Sequence, residues 1–197
     1  MGLNRCPYCG SSKLPKPLYT NAHCQIIPDI SPLLPGHVLV VPFEHIEGMA
    51  RCGDVVFASV LEAVEVALEK YSYCATIFEH GALCDKNAGS SISHAHIHIV
   101  PGAIDLTEII ESSVPLESIP LHYKHLNADF LKDKAYLFVQ SRLFSIGTCY
   151  LVQVLPRQYL RALLLRKLGR PPLFDWEVNS STTDAKLMLE ETIRMWK

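Results

Sequence analysis

The sequence predicts an α+β protein in which a mostly antiparallel sheet carries one main helix, followed by a C-terminal α/β extension. Three observations lead there. Phe57, Val60, Leu61, Val64, Leu68 and Tyr71 recur at helical spacing, which gives one long helix a single apolar face. The runs HVLVVP (His37 to Pro42) and SHAHIHIV (Ser93 to Val100) are short, apolar or alternating, and bounded by Pro and Gly, as strands are. A further strand pair at Ala135–Gln140 and Thr148–Leu155 is followed by helical patterns up to the C-terminus.

In chain order, a Cys-rich start precedes a short strand over Ala22 to Ile27. Pro28 to Gly36, with its three prolines, is a turn, and His37 to Pro42 is a buried strand. Asp54 can cap the main helix, which runs to Tyr71 and crosses back to a strand near Tyr73 to Glu79. His80 to Ser91 is a Gly- and Ser-containing loop, and the strand from Ser93 to Val100 is broken by Pro101-Gly102. Asp105 to Lys134 is mixed, with room for a short helix. After the strand pair, Pro156 suits the first turn of a helix running to about Leu168 and stopped by Gly169, and a last helix covers Asp184 to Trp196.

A chain of 197 residues, 49% of them apolar, is long enough for one sizeable core and an appendage. Its formal charge of −2, from 18 basic and 20 acidic residues, offers no strongly basic face for a long nucleic acid. A single nucleotide is the better-matched partner. The start MGLNRCPYCG lacks the apolar run of a signal peptide, and no stretch approaches the roughly 20 apolar residues that span a bilayer. Seven cysteines, an odd number unevenly spread, favour thiols or metal ligands over a disulfide framework. These features fit a cytoplasmic protein.

His94, His96 and His98 alternate with Ala95, Ile97 and Ile99, so a strand turns all three imidazoles to one face and the apolar residues to the core. Near neutrality an imidazole can be nucleophile, proton donor or anion contact, according to its neighbours. Apolar side chains would fill such a face at lower cost than three hydrogen-bonding rings, which argues for chemistry. Spacing alone leaves a second reading open, because histidines at i and i+2 can also hold one zinc ion.

The string His94-Ala-His96-Ile-His98-Ile-Val resembles the signature of the histidine triad (HIT) superfamily of nucleotide hydrolases and transferases. PDISPLLPGHVLVVPFEHI, from Pro28 to Ile46, is similar to the strand-turn-strand that precedes it in such proteins. The resemblance runs from about Cys6 to Gly102 and implies a HIT-like fold for residues 1–104, leaving 105–197 as an extension packed on or beside it. It implies that His96 attacks the α-phosphate of a nucleotide to form a covalent nucleotidyl-histidine, with His98 stabilising the phosphate and His94 orienting the site or serving a metal. His37 then sets the tautomer of a triad ring from the adjacent strand, or is simply a satisfied core histidine. Asp29 would hold the ribose hydroxyls. Asn87, Gly89, Ser90 and Ser91 would receive the phosphate through amides and hydroxyls, although ordinary turn chemistry accounts for the same residues. Ser90 departs from the glutamine many relatives carry, which leaves the leaving group open. Possible homodimer formation is a further implication of the resemblance, which the extension can prevent.

Cys6-Pro-Tyr-Cys9 has the spacing of a zinc knuckle, but two thiolates make only half a tetrahedral site. A redox dithiol is the other use of this spacing, usually in a thioredoxin-like context that this chain lacks. The resemblance supplies His45 and His94 as the missing ligands of a structural zinc site, with His23 or Cys24 as substitutes. In the extension, Leu160, Leu164 and Leu168 form a helical stripe with Arg157 and Arg161 one turn apart; the arginines could reach a substrate phosphate, and a solvated cationic face is the preferred reading. The function expected is therefore a nucleotidyl hydrolase acting on a dinucleoside polyphosphate, a nucleoside phosphoramidate or a nucleotide conjugate. Retention of His98 favours hydrolysis, since related transferases tend to carry glutamine there. A nucleotidyltransferase, or a nucleotide-binding sensor or adaptor without turnover, is the rival.

Overall fold

The computed structural model describes residues 6–9, 14–81, 92–113, 117–141, 145–171 and 175–197. The expected loop residues Asn87, Gly89, Ser90 and Ser91 lie outside them. The described strands are β1 (Tyr19–Thr20), β2 (Cys24–Pro28), β3 (Val38–Pro42), β4 (Ala75–Gly81), β5 (Ile97–Pro101), β6 (Glu117–Leu121), β7 (Ala135–Ser141) and β8 (Gly147–Val152). They form one sheet in the order β1-β2-β3-β5-β4-β7-β8-β6, and every neighbouring pair is antiparallel. The predicted α+β class, a mostly antiparallel sheet with one main helix, is met. Among the described residues, five α-helices accompany the sheet: α1 (Asp54–Lys70), α2 (Thr107–Glu111), α3 (Tyr159–Lys167), α4 (Trp176–Ser180) and α5 (Thr183–Met195).

The alternation of side chains divides the sheet into two faces. Ile26, Val38, Val40, Ile77, Ile97 and Ile99 share a core with Phe57, Val60, Val64 and Leu68 of α1, and Tyr136 and Phe138 of β7 extend that core. On the opposite face, Phe78, Val100, Leu137, Val139 and Tyr150 pack with Leu160, Leu163 and Leu164 of α3 and with Leu106 and Ile110 beside α2. The sheet runs on past residue 104, because β4 pairs with β7 from Thr76↔Ser141 to Gly81↔Tyr136.

Several boundaries differ from the sequence reading. The triad strand begins only at Ile97, so His94 lies in a bend and His96 in the irregular chain ahead of it. Gly53, not Asp54, is the N-cap of α1, and Asp54 occupies its acidic first turn. Pro156 precedes α3 without opening it: Gln158 is the N-cap, at φ 59° and ψ 29°. The extension also holds β6 and α4, which the pattern did not distinguish. β6 is a half-exposed edge strand carrying Pro120, so it lacks the apolar alternation that marks a strand.

Candidate functional site

Two clusters meet at the triad. In the first, Cys6, Cys9, His45 and His94 bring one ligand atom each within 4.8 Å of the others. The Cys9 Sγ lies 3.1 Å from His45 Nδ1 and 3.4 Å from His94 Nδ1, Cys6 Sγ lies 3.3 Å from His94 Nδ1, and the two Nδ1 atoms are 3.2 Å apart. Donors around a tetrahedral zinc ion, about 2.0 to 2.3 Å from it, stand roughly 3.3 to 3.8 Å from one another, so the set is near that size. The tautomer agrees. His94 Nε2 is 2.9 Å from the Pro42 carbonyl and donates to it, which leaves the Nδ1 lone pair free for a cation. The four residues can hold a metal ion and are compatible with zinc. Cys24, the proposed substitute, is elsewhere, buried with its thiol donating to Asn21 and to the Ser59 carbonyl.

The second cluster lines a cleft on the sheet face opposite α1. Its free space, including the part open to solvent, is about 620 Å³, and His96, His98, His80, Asp29, Ile27 and Leu39 come from the N-terminal half. Pro7, Tyr8 and Leu14 close one side. Tyr8 stands between the two clusters, its ring centroid 5.4 Å from both His94 and His96. The triad is thus divided: His96 and His98 line the cleft, with ring centroids 4.8 Å apart, whereas His94 turns its Nδ1 to the cysteines.

Backbone groups fix the proton positions on the cleft histidines. His96 Nδ1 sits 2.7 Å from the His94 carbonyl, so it donates there and its Nε2 keeps a bare lone pair. The Leu33 amide donates to His37 Nδ1 at 3.2 Å, which makes His37 Nε2 the protonated nitrogen. That nitrogen is 3.0 Å from His98 Nδ1, so it donates to it and leaves the proton of His98 on Nε2. The relay gives one ring with a free lone pair and, beside it, one ring with a free N–H. Burial keeps both neutral: the His96 imidazole is lowered from its ordinary range, and His98 lies well below it. Phe78 stacks on the His98 ring at 4.3 Å and holds its plane.

Asp29 is placed differently from the expectation of a carboxylate waiting for ribose. Its Oδ2 receives Arg161 Nη1 at 2.5 Å, and its Oδ1 accepts the Ser31 amide at 2.8 Å. Burial alone would raise this carboxyl, but the Arg161 guanidinium and the Ser31 amide hold it down to about 2. The solvated arginine face is corrected here. Arg161 is only 7% exposed, points inward from α3, and also donates to the Ser31 carbonyl and hydroxyl. Arg157 does face solvent. The rest of the extension's contribution is Gln158 and Trp176, both lining the cleft. Sequence reasoning missed these two, along with His80, whose buried Nε2 accepts the Leu160 amide at 3.3 Å. No local pattern marks Gln158 or Trp176, because each reaches the cleft only through the packing of α3 and α4 onto the sheet, whereas His80 reaches it from β4 itself.

A family model described as the HIT domain matches residues 15–104. An uncharacterized HIT-like protein of Saccharolobus solfataricus is 31% identical over 101 residues, covering 50% of this chain and 72% of that one. A second, from Methanocaldococcus jannaschii, is 28% identical over 102 residues, covering 49% of this chain and 78% of that one. Among solved structures, a HIT family hydrolase from Clostridium thermocellum is similar at 24% identity and a TM-score of 0.44, covering 53% of this chain and 96% of that chain. The chain belongs to the HIT family, whose members are generally nucleotide hydrolases or nucleotide-binding proteins. Among the described residues no helix is long and apolar enough to cross a membrane.

Proposed function

We propose that the protein is a nucleotidyl hydrolase in which His96 attacks the α-phosphate of a nucleotide carrying a phosphate, amine or other conjugate as leaving group. The observation that carries this reading is the tautomer relay. His96 Nδ1–H is tied to the His94 carbonyl at 2.7 Å, which leaves Nε2 free to act as nucleophile. The Nε2–phosphorus bond forms as the bond from phosphorus to the leaving group breaks, and the His94 carbonyl offsets the positive charge that develops on the ring. His98, held as an Nε2–H donor through His37, stabilises the charge on the phosphoryl oxygens. Water then attacks the phosphorus, the nitrogen–phosphorus bond breaks, and a nucleoside monophosphate leaves with the oxygen of that water.

Zinc at Cys6, Cys9, His45 and His94 has a structural role in this reading. It ties the N-terminal segment to the chain just ahead of the triad, with all four positions taken by protein. Tyr8, between the two cysteines, reaches the cleft, so the metal also fixes one wall of the substrate site. Asn87, Gly89, Ser90 and Ser91 remain the proposed phosphate-binding loop and Asp29 the proposed ribose contact, now shared with Arg161.

The test is turnover of a panel of dinucleoside polyphosphates, nucleoside phosphoramidates and nucleotide conjugates by the wild type and by His96→Ala. Wild-type release of nucleoside monophosphate, lost by a factor of about 10⁴ or more in the variant, with a nucleotide adduct trapped on His96, is expected. Equal turnover in the variant removes the nucleophile. Tight binding with no turnover in the wild type makes the protein a nucleotide sensor instead.

A further inference from the structure

The C-terminal half supplies one wall of the cleft, and one residue on that wall is held in an unusually costly state. Gln158 is 3% exposed and lines the cleft, yet its Oε1 is buried with no hydrogen-bond partner among the described residues. Its backbone is left-handed, at φ 59°, a conformation that a side-chain-bearing residue seldom adopts. Burying an amide oxygen unpaired is disfavoured, and native proteins rarely keep such a group without a use for it. Both features fall on a residue whose surroundings are tightly fixed. The Gln158 carbonyl accepts the Ala162 amide, the Leu160 amide is held by His80, and Arg161 is anchored on Asp29.

The other acceptor in this part of the cleft is already engaged. Both carboxylate oxygens of Asp29 receive donors, from Ser31 and Arg161, and Asn179 of α4 further braces that turn by donating to the Ser31 hydroxyl at 2.6 Å. A nucleoside entering beside His96 therefore meets a carboxylate already shared with Arg161 and an amide whose oxygen has no hydrogen-bond partner among the described residues.

We propose that Gln158 is the residue by which the C-terminal half reads the nucleoside: its side-chain amide hydrogen-bonds a polar group of the bound nucleotide, beside the Asp29 carboxylate that Arg161 holds. The inference rests on the nucleotide reading of the cleft. It assigns specificity to a segment outside the residues the HIT family model covers, 15–104. Trp176 also lines the cleft and supplies an aromatic surface there.

The experiment is calorimetric binding of the monophosphates of the four common ribonucleosides to the full chain, followed by Gln158→Gly and Gln158→Met. Glycine suits the left-handed backbone and removes the amide; methionine keeps the volume and loses the amide. Both variants are expected to weaken the tightest-bound monophosphate by about tenfold, with a melting temperature equal to or above the wild type, because an unmet buried amide has gone. The 2′-deoxy and 3′-deoxy forms and a base analogue lacking the exocyclic group separate ribose from base. The analogue missing the partner group binds the wild type weakly, and loses nothing further in Gln158→Gly. In the wild type labelled with 15N-glutamine, the Gln158 side-chain amide must also shift on saturation.

If the wild type binds monophosphates and both variants bind them equally, or if the Gln158 amide stays put, the inference is overturned while the nucleotide reading stands. An equal loss on every analogue also overturns it, since Gln158 then only shapes the cleft. Failure of the wild type to bind any monophosphate overturns the nucleotide reading itself.

Discussion

Residues 15–104 carry the motifs by which the family is recognised and residues 105–197 fall outside the family match, yet both halves wall the same cleft. The difference lies in how each half places its side chains. In the first, short local ties set the rings: the His94 carbonyl two residues away fixes His96, and the Leu33 amide four residues away fixes His37, which orients His98 from the adjoining segment of the sheet. In the second, contacts across more than a hundred residues do it, such as Arg161 on Asp29 and Ser31, Asn179 on Ser31 and Arg170 on the Leu33 carbonyl. Chemistry written in a motif can be inherited whole, whereas a wall assembled by packing is particular to the chain that packs it.

The strongest way to break that comparison is to cut its central tie. Arg161→Leu leaves the Asp29 carboxylate, 5% exposed, without the guanidinium that holds it, and removing one partner of a buried pair costs about 3 to 5 kcal/mol. Urea denaturation should show that loss in a single transition, and Asp29→Asn in the same chain should recover much of it. Were the extension merely attached, the first half would unfold at its wild-type midpoint and only a second, separate transition would move.

A smaller effect is expected at the seam of the sheet. Gly81 ends β4 opposite Tyr136 of β7, and a Cβ there would land on the Tyr136 ring. That ring cannot step aside freely, because its hydroxyl donates to Glu79 at 2.7 Å and accepts from the Ala50 amide. Gly81→Ala should therefore destabilise by about 1 to 3 kcal/mol, read as a lower denaturation midpoint with unchanged slope. A neutral result would mean that β4 and β7 slide past each other readily, and the halves would be less tightly joined than their register suggests.

The halves also meet through a group that titrates. Burial pushes the His80 imidazole from 6.5 down to about 3, while its Nε2 accepts the Leu160 amide that starts α3. The unfolded chain therefore takes up this proton first as the pH falls. Its contribution to stability is complete above about pH 6.5 and is lost progressively towards pH 3, at up to about 1.4 kcal/mol per pH unit. His80→Gln keeps an acceptor and removes the titration, so the slope of unfolding free energy against pH between 4 and 6 should be shallower than in the wild type by about one proton. Parallel slopes would show that His80 reaches solvent, and that the α3 junction is open.

Much of the first half was legible in the sequence, for reasons that differ by residue. The α1 helix announces itself because a seventeen-residue segment against a sheet must repeat its apolar face. The cysteine pair and the triad were visible because metal binding and strand alternation both impose fixed spacings. The strand's late start at Ile97 was not, since His94 and His96 continue the alternation while their rings separate to two clusters. Arg161 shows the limit most clearly. On a helix with a leucine stripe an arginine reads as solvated, and only the Asp29 carboxylate, 132 residues away in sequence, makes its burial favourable.

The smallest expected effect concerns the turn that ties the last helix to the relay. The Thr192 hydroxyl of α5 accepts the Gly36 amide at 2.7 Å and donates to the Met188 carbonyl at 2.8 Å. Gly36 stands at φ 88°, and a Cβ there would strike the Pro101 ring, so the turn has little freedom to find another partner. Thr192→Val keeps the shape and removes the acceptor, which should cost about 1 kcal/mol. The same loss should appear as roughly fivefold faster hydrogen exchange at the Gly36 amide, since about 1.4 kcal/mol corresponds to tenfold. Because Gly36 immediately precedes His37, the effect should reach the His37 ring resonances while leaving those of His45, at the cysteine cluster, unmoved. Equal shifts at both histidines would mean that the last helix acts on the whole sheet and not on the relay side of the cleft.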